Sequence, residues 1–245
     1  MPDTALARSF ENIGDDYDRY RPGFPASAAS VILPRAVPAV LDLGAGTGKF
    51  TELLLDRARR VVAVEPSERM LQVLRAKLPV VESLIGTAEL IPVADASMDV
   101  VTVAQAFHWF DRDTACAEIG RVLVPGGTLG LLWNHSDPLC GWDRAAHRIA
   151  HPAVHEQDST TDSADSALPG FDLWGHDELR WRERVSREHY LRRWSTVSSV
   201  LVADDATRSR MLRAIEDVLD DHPETRGRTE LELPQITDVY VYRRR

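Results

Sequence analysis

LDLGAGTGKF, residues 41–50, sets three glycines (Gly44, Gly46, Gly48) within five positions, directly behind an apolar run. A phosphate-binding P-loop requires Gly, four residues, then Gly-Lys-Ser/Thr. Counting back from Gly48-Lys49 gives Leu43 where the first glycine belongs, and Phe50 stands where the magnesium-binding hydroxyl belongs. The dinucleotide fingerprint G-x-G-x-x-G, begun at Gly44, meets Lys49 in place of its third glycine. What remains is D-x-G-x-G-x-G from Asp42 to Gly48, a turn whose backbone can approach a ligand closely because no Cβ intervenes.

Working outward, short apolar runs alternate with amphipathic segments. VPAVLDLG (37–44), RVVAVEP (60–66), VVESLIG (80–86), MDVVTVAQA (98–106) and GTLGLLWN (127–134) predict strands buried on both faces. Between them KFTELLLDRARR (49–60), SERMLQVLRAKL (67–78) and DRDTACAEIGRVL (111–123) carry apolar residues at helical spacing, with Ser67 as an N-cap and Pro125-Gly126-Gly127 as a turn. This alternation predicts an α/β fold with a parallel, Rossmann-like doubly wound sheet and right-handed crossovers. Further on, LRWRERVS (179–186) predicts a strand, REHYLRRWSTVSSVLV (187–202) and ATRSRMLRAIEDVLDDH (206–222) predict two helices, and ELELPQITDVYVYRR (230–244) predicts a last strand. EQDSTTDSADSALPG (156–170) is acidic and nearly devoid of large apolar side chains, the composition of a mobile loop. One domain spans 1–245, with an N-terminal helical cap at 1–36, a ligand-binding core at 38–134, and C-terminal strands and lid helices at 135–245.

The 245 residues carry a formal charge of -9 and a pI of about 5.4, so no overall positive field is available to attract a nucleic acid. Cys116 and Cys140 are too far apart for a C-x-x-C site and too few for a disulfide scaffold, which fits a reducing, cytoplasmic setting. The N-terminal stretch has no apolar signal region and no segment approaches the length of a membrane span, so no membrane partner is expected. A monomer or homodimer is the expected assembly.

In a doubly wound sheet, ligands bind beyond the carboxyl ends of the strands, where the glycine loop closes the first strand. Amides at the start of the following helix can donate to an anionic group there. Glu65 ends the second strand, about twenty residues past the loop, where a carboxylate can accept from both hydroxyls of a ribose. A ribose-bearing ligand without a phosphate motif is therefore implied.

LDLGAGTGKF, VVAVEPSERML, GTAELIPVADASMDVVTVAQAFHWFD and EIGRVLVPGGTLGLLWN, in that order, resemble the successive motifs of class I S-adenosylmethionine-dependent methyltransferases of the type 11 small-molecule group. YRPGFP, AQAFHWFD and LPQITDVYVYRR are most similar to the trans-aconitate methyltransferase-like subgroup. The resemblance implies a seven-stranded sheet whose last strand is antiparallel, S-adenosyl-L-methionine as cofactor, S-adenosyl-L-homocysteine as product, and a small-molecule methyl acceptor, a carboxylate or another oxygen nucleophile. It implies that Asp42 and the backbone of Gly44, Ala45, Gly46, Thr47 and Gly48 face the methionine part, Glu65 the ribose, and Met70 one face of the adenine. Thr87, Ala88 and Glu89 then pass the adenine edge. The group more commonly carries Asp at position 87, so Glu89 or a backbone carbonyl must accept from the adenine amino group here. Gln105 and Ala106 flank the transferable methyl, and Tyr17, Tyr20 and Arg21 are candidates for closing over the cofactor.

His108, in QAFHWFD, would stand at the mouth of the site as a general base, as a donor to a substrate carboxylate, or as a structural residue that orients its loop. Trp109, Phe110 and Trp133 could line an acceptor pocket or simply pack. Met70 and Glu89 carry the same double reading, as core methionine and solvated loop carboxylate. His147, His151 and His155 recur at every fourth residue, but Pro152 interrupts their helix and no acidic or cysteine ligand falls in a recognised metal-binding pattern with them, so no metal site is expected. The arginine-rich stretch around residues 179–194 is diluted by Glu183 and Glu188, as a solvated face would be. A nucleotide-dependent oxidoreductase and a non-catalytic S-adenosylmethionine-binding protein are the rival readings.

Overall fold

The computed structural model describes residues 18–151 and 167–245. Tyr17, His155 and most of the acidic loop predicted at 156–170 lie outside the described residues. A seven-stranded sheet runs in the order β3-β2-β1-β4-β5-β7-β6. Its strands are β1 (Val37–Leu43), β2 (Ala58–Glu65), β3 (Glu82–Ile85), β4 (Met98–Ala104), β5 (Leu123–Ser136), β6 (Phe171–Ser186) and β7 (Glu230–Arg244). Strands β1 to β5 pair in parallel, and β7 is antiparallel to both β5 and β6. The expected doubly wound sheet with its antiparallel last strand is therefore what the chain forms.

The helices are α1 (Ala26–Ile32), α2 (Glu68–Lys77), α3 (Arg112–Val122), α4 (Gly141–Ala150), α5 (Arg187–Trp194), α6 (Ser198–Leu201) and α7 (Asp205–Asp221). Each sheet face buries its own cluster. Leu41, Leu43, Val101, Val103, Leu131 and Trp133 pack with Cys116 and Ile119 of α3, while Val40, Val100 and Leu132 pack with Ile32 of α1 and Leu71 and Leu74 of α2. A third cluster joins α4, α5 and α7 to the ends of β6 and β7 around Trp142, Tyr190, Trp194 and Ile215.

Four expectations are corrected. KFTELLLDRARR does not form a helix: only Thr51–Leu54 makes a 3-10 turn, and Ala58 already belongs to β2. Thr51 is tied to Asp42 and the Arg57 carbonyl accepts from Val37 N, so the segment is pinned at both ends with room for a single turn. Pro125-Gly126-Gly127 is not a turn outside the strand but an irregularity within β5, where pairing with β4 jumps from Met98–Leu123 to Val100–Thr128. β6 begins at Phe171, eight residues before the predicted start, because β7 offers a full-length partner. REHYLRRWSTVSSVLV breaks into α5 and α6, since Ser195 and Thr196 hydroxyls donate to the Arg192 and Arg193 carbonyls at 2.6 and 2.7 Å and divert the chain.

Candidate active site

Three strand ends build the site. At the end of β1 the glycine loop turns through left-handed conformations at Gly44, Gly46 and Gly48. A Cβ on Gly44 would lie 2.7 Å from the Ala106 Cβ, so the loop reaches the chain that leaves β4 only because the side chain is missing. Asp42 beneath it is buried, with Thr51 Oγ1 donating to Oδ2 at 2.6 Å and Thr102 Oγ1 donating to Oδ1 at 2.9 Å. Burial pushes its pKa up to about 6 against those two hydrogen bonds. Asp42 thus fastens the loop to β4 and to the turn after it.

Glu65 closes β2 with its carboxylate buried against the loop, where Gly46 N donates to Oε2 and Ser67 N donates to Oε1, each at 3.0 Å. Burial raises its pKa and the two backbone amides oppose the shift. Each oxygen keeps acceptor capacity for a ligand hydroxyl. Ser67 caps α2 by accepting from Met70 N, and the Met70 sulfur lies 3.8 Å from where a Gly46 Cβ would stand, so the methionine sits over the loop. Thr47, in the glycine loop, is buried and its Oγ1 has no hydrogen-bond partner among the described residues.

After β3, Thr87 is exposed and Ala88 buried. Glu89 Oε1 accepts from Asp111 N at 2.9 Å, just ahead of α3, so this carboxylate already braces a helix start. Gln105 adopts φ +58, costly for a side-chain-bearing residue. Its N donates to Leu132 O and its Nε2 to Asn134 O, each at 2.9 Å, which fixes the turn beside Ala106 to β5.

His108 lies in a short 3-10 turn, Phe107–Trp109. Trp133 Nε1 donates to His108 Nδ1 at 3.3 Å, and an indole N–H can only donate. The neutral His108 ring therefore holds its proton on Nε2. Trp133 itself is buried against Tyr240 and forms the floor below His108 rather than an open wall, whereas Trp109 is half-buried and stacks obliquely on His108 at 4.7 Å. Tyr20 and Arg21 dock onto the C-terminal helices: Arg193 Nε donates to Tyr20 O at 3.0 Å, Arg21 Nη2 donates to Thr196 O at 3.0 Å, and the Tyr20 ring meets His189 edge-on at 5.3 Å.

Sequence reading missed a further cluster on the same sheet face as Trp133. His135 on β5 and His176 on β6 direct Nε2 at the two oxygens of Asp238 on β7, at 2.8 and 2.9 Å. Burial alone would raise the Asp238 pKa, but the hydrogen bonds from both imidazoles hold it below the ordinary carboxylate range. No local spacing joins these residues, which strand register alone brings together; the available signal was a lone carboxylate among the inward positions of ITDVYVY.

Cradle, buried carboxylate and unpartnered Thr47 hydroxyl fit a nucleoside bearing an amino-acid tail. The Methyltransferase domain family matches residues 41–131. An uncharacterised methyltransferase of Mycobacterium tuberculosis is 38% identical over 95% of this chain and 94% of its own length. A Schizosaccharomyces pombe uncharacterised methyltransferase is 27% identical over 96% of both chains. The solved structure of a proposed type II methyltransferase from Anaeromyxobacter dehalogenans superposes with a TM-score of 0.71 at 26% identity, covering 92% of this chain and 98% of that one. The chain belongs to the class I S-adenosylmethionine-dependent methyltransferases.

Proposed function

We propose that this methyltransferase acts on a small molecule at an oxygen nucleophile, a carboxylate or a hydroxyl, in the manner of the trans-aconitate methyltransferase-like subgroup. The observation that carries the reading is the polar and aromatic group at the carboxyl ends of β4 and β5, where His108, held by the Trp133 indole, and Trp109 stand next to the turn at Gln105 and Ala106. The net charge of -9 favours a small acceptor over a nucleic acid.

When bound, S-adenosylmethionine supplies an electrophilic methyl on a sulfonium and leaves as S-adenosylhomocysteine. Glu65 accepts from the ribose hydroxyls, Met70 covers one adenine face, and Thr87, Ala88 and Glu89 pass its edge, with the Glu89 carboxylate, whose Oε1 also accepts from Asp111 N, or a backbone carbonyl taking the amino contact. Gly44, Ala45, Gly46, Thr47 and Gly48 hold the methionine part, Thr47 through its unpartnered hydroxyl, while Asp42 acts by bracing that loop. Gln105 and Ala106 line the approach to the methyl, and Tyr20 and Arg21 anchor the cap that closes it. These residues accelerate the reaction chiefly by aligning acceptor oxygen, carbon and sulfur in a water-poor site. His108 Nε2–H donates to the acceptor.

Mass spectrometry of S-adenosylhomocysteine formation across carboxylic acids, phenols and amines tests this. Turnover confined to oxygen acceptors is expected; turnover of amines alone would overturn it.

A further inference from the structure

β6 lies at one edge of the sheet, with β7 on its inner side and no further strand on its outer side among the described residues. At the opposite edge β3 spans only Glu82–Ile85, whereas β6 runs for 16 residues and most of its side chains are exposed. We propose that the outer edge of β6 is a self-association surface, on which β6 of a second copy of this chain pairs antiparallel about a two-fold axis at Leu179.

The order of charges along the strand argues for this occupant. The first half of β6 carries Asp172, Asp177 and Glu178, and the second half Arg180, Arg182 and Arg184. A two-fold antiparallel pair sets the first half of each strand against the second half of the other, so the strand is complementary to itself. Edge strands that resist pairing do so with lysines, proline or a bulge. β6 has neither lysine nor proline, and its bulge, between Leu173 and Gly175, leaves the register unbroken from Gly175 onward.

Charge also selects the register. Residues opposite each other in an antiparallel pair share a face, so the residue on the axis meets its own copy and positions equally far to either side meet each other. With Asp177, Glu178 or Arg180 on the axis a charge would meet its own kind, and with Trp181 there Arg180 would meet Arg182 twice. With Leu179 there, an apolar side chain meets itself and Glu178 meets Arg180 of the copy on both sides. Glu178 and Arg180 already pair within the chain at 2.8 Å while their side chains stay 46% and 54% exposed, so the two pairs merge into a cluster of alternating sign. Farther out, Asp177 faces Trp181, and Arg182 faces His176, whose ring is bound to the Asp238 carboxylate. The ladder then runs from Gly175 to Glu183 of each copy and joins two seven-stranded sheets into one. β6 is antiparallel to β7, which is antiparallel to β5, so β6 is parallel to β5 and the ligand-binding ends of the two copies point in opposite directions.

Cysteine cross-linking in the full-length protein reads this register directly. Leu179→Cys places two sulfurs at the axis, where the Cα atoms are roughly 4.5–5.5 Å apart and within disulfide reach. Cys116 and Cys140 are buried and do not compete. Arg182→Cys, on an exposed side chain whose copies stand roughly 20 Å apart, is the control. Under mild oxidation Leu179→Cys should form a disulfide-linked dimer faster than Arg182→Cys by roughly tenfold or more, and Glu178→Arg added to Leu179→Cys should bring it down to the control rate. The wild type should sediment at twice the 27.4 kDa chain mass. Equal cross-linking at the two positions, no effect of Glu178→Arg, or a wild type that sediments at the chain mass even at its highest soluble concentration would overturn the proposal.

Discussion

At the scale of single residues, Glu65 and Asp42 show how two buried carboxylates at neighbouring strand ends differ in task. Glu65 faces the loop and keeps acceptor capacity, so Glu65→Ala should weaken S-adenosylhomocysteine binding by roughly 1.5–3 kcal/mol, measured by calorimetry. Unchanged affinity would remove it from the site. Asp42, raised to about 6 from 3.8, binds more protons folded than unfolded between those values, so its contribution to stability falls as pH rises through that window. The urea midpoint of the wild type minus that of Asp42→Asn should therefore decline between about pH 4 and 6, by up to ~3 kcal/mol in stability. A flat difference would show that Asp42 is not desolvated. Glu65 was legible in the sequence because its spacing from the glycine loop is fixed by one crossover. The work of Asp42 as a brace was not, because Thr51 and Thr102 reach it only after the chain folds.

At the scale of elements, parallel strands announce themselves as apolar runs, and all five expected in the core form, although β3, at the edge of the sheet, is not buried on both faces as expected. The failures lie where tertiary ties override local preference. Helical spacing in KFTELLLDRARR yields to the tethers at Asp42 and Val37, and the hydroxyls of Ser195 and Thr196 divide a predicted helix. The His135–Asp238–His176 cluster was invisible for the same reason, since it spans three strands whose register no local pattern encodes. Close packing of elements is testable at Gly130, where a Cβ would come within 2.5 Å of the Ile32 side chain in α1. Gly130→Ala should cost about 1–3 kcal/mol by displacing that helix, read from denaturant unfolding. A neutral effect would mean that α1 packs more loosely against the sheet.

At the scale of the whole molecule, residues 18–21 are tied both to the C-terminal helices and to the glycine loop. Arg193 is central to these ties, with Nη2 donating to Glu183 Oε1 at 2.6 Å and Nε to the Tyr20 carbonyl, while Lys77 joins Asp18 to the Thr47 carbonyl of the glycine loop. Arg193→Ala leaves a largely buried Glu183 unpaired and should lower stability by about 3–5 kcal/mol in urea unfolding, whereas a loss below 1 kcal/mol would show the pair to be solvated. That the chain is built around an adenosyl sulfonium ligand, and not a nucleotide, is tested by thermal unfolding with each candidate. S-adenosylhomocysteine at about 100 times its dissociation constant should add roughly 2.7 kcal/mol of stability, with NAD and ATP adding none; equal stabilisation by NAD, or none by S-adenosylhomocysteine, would contradict it.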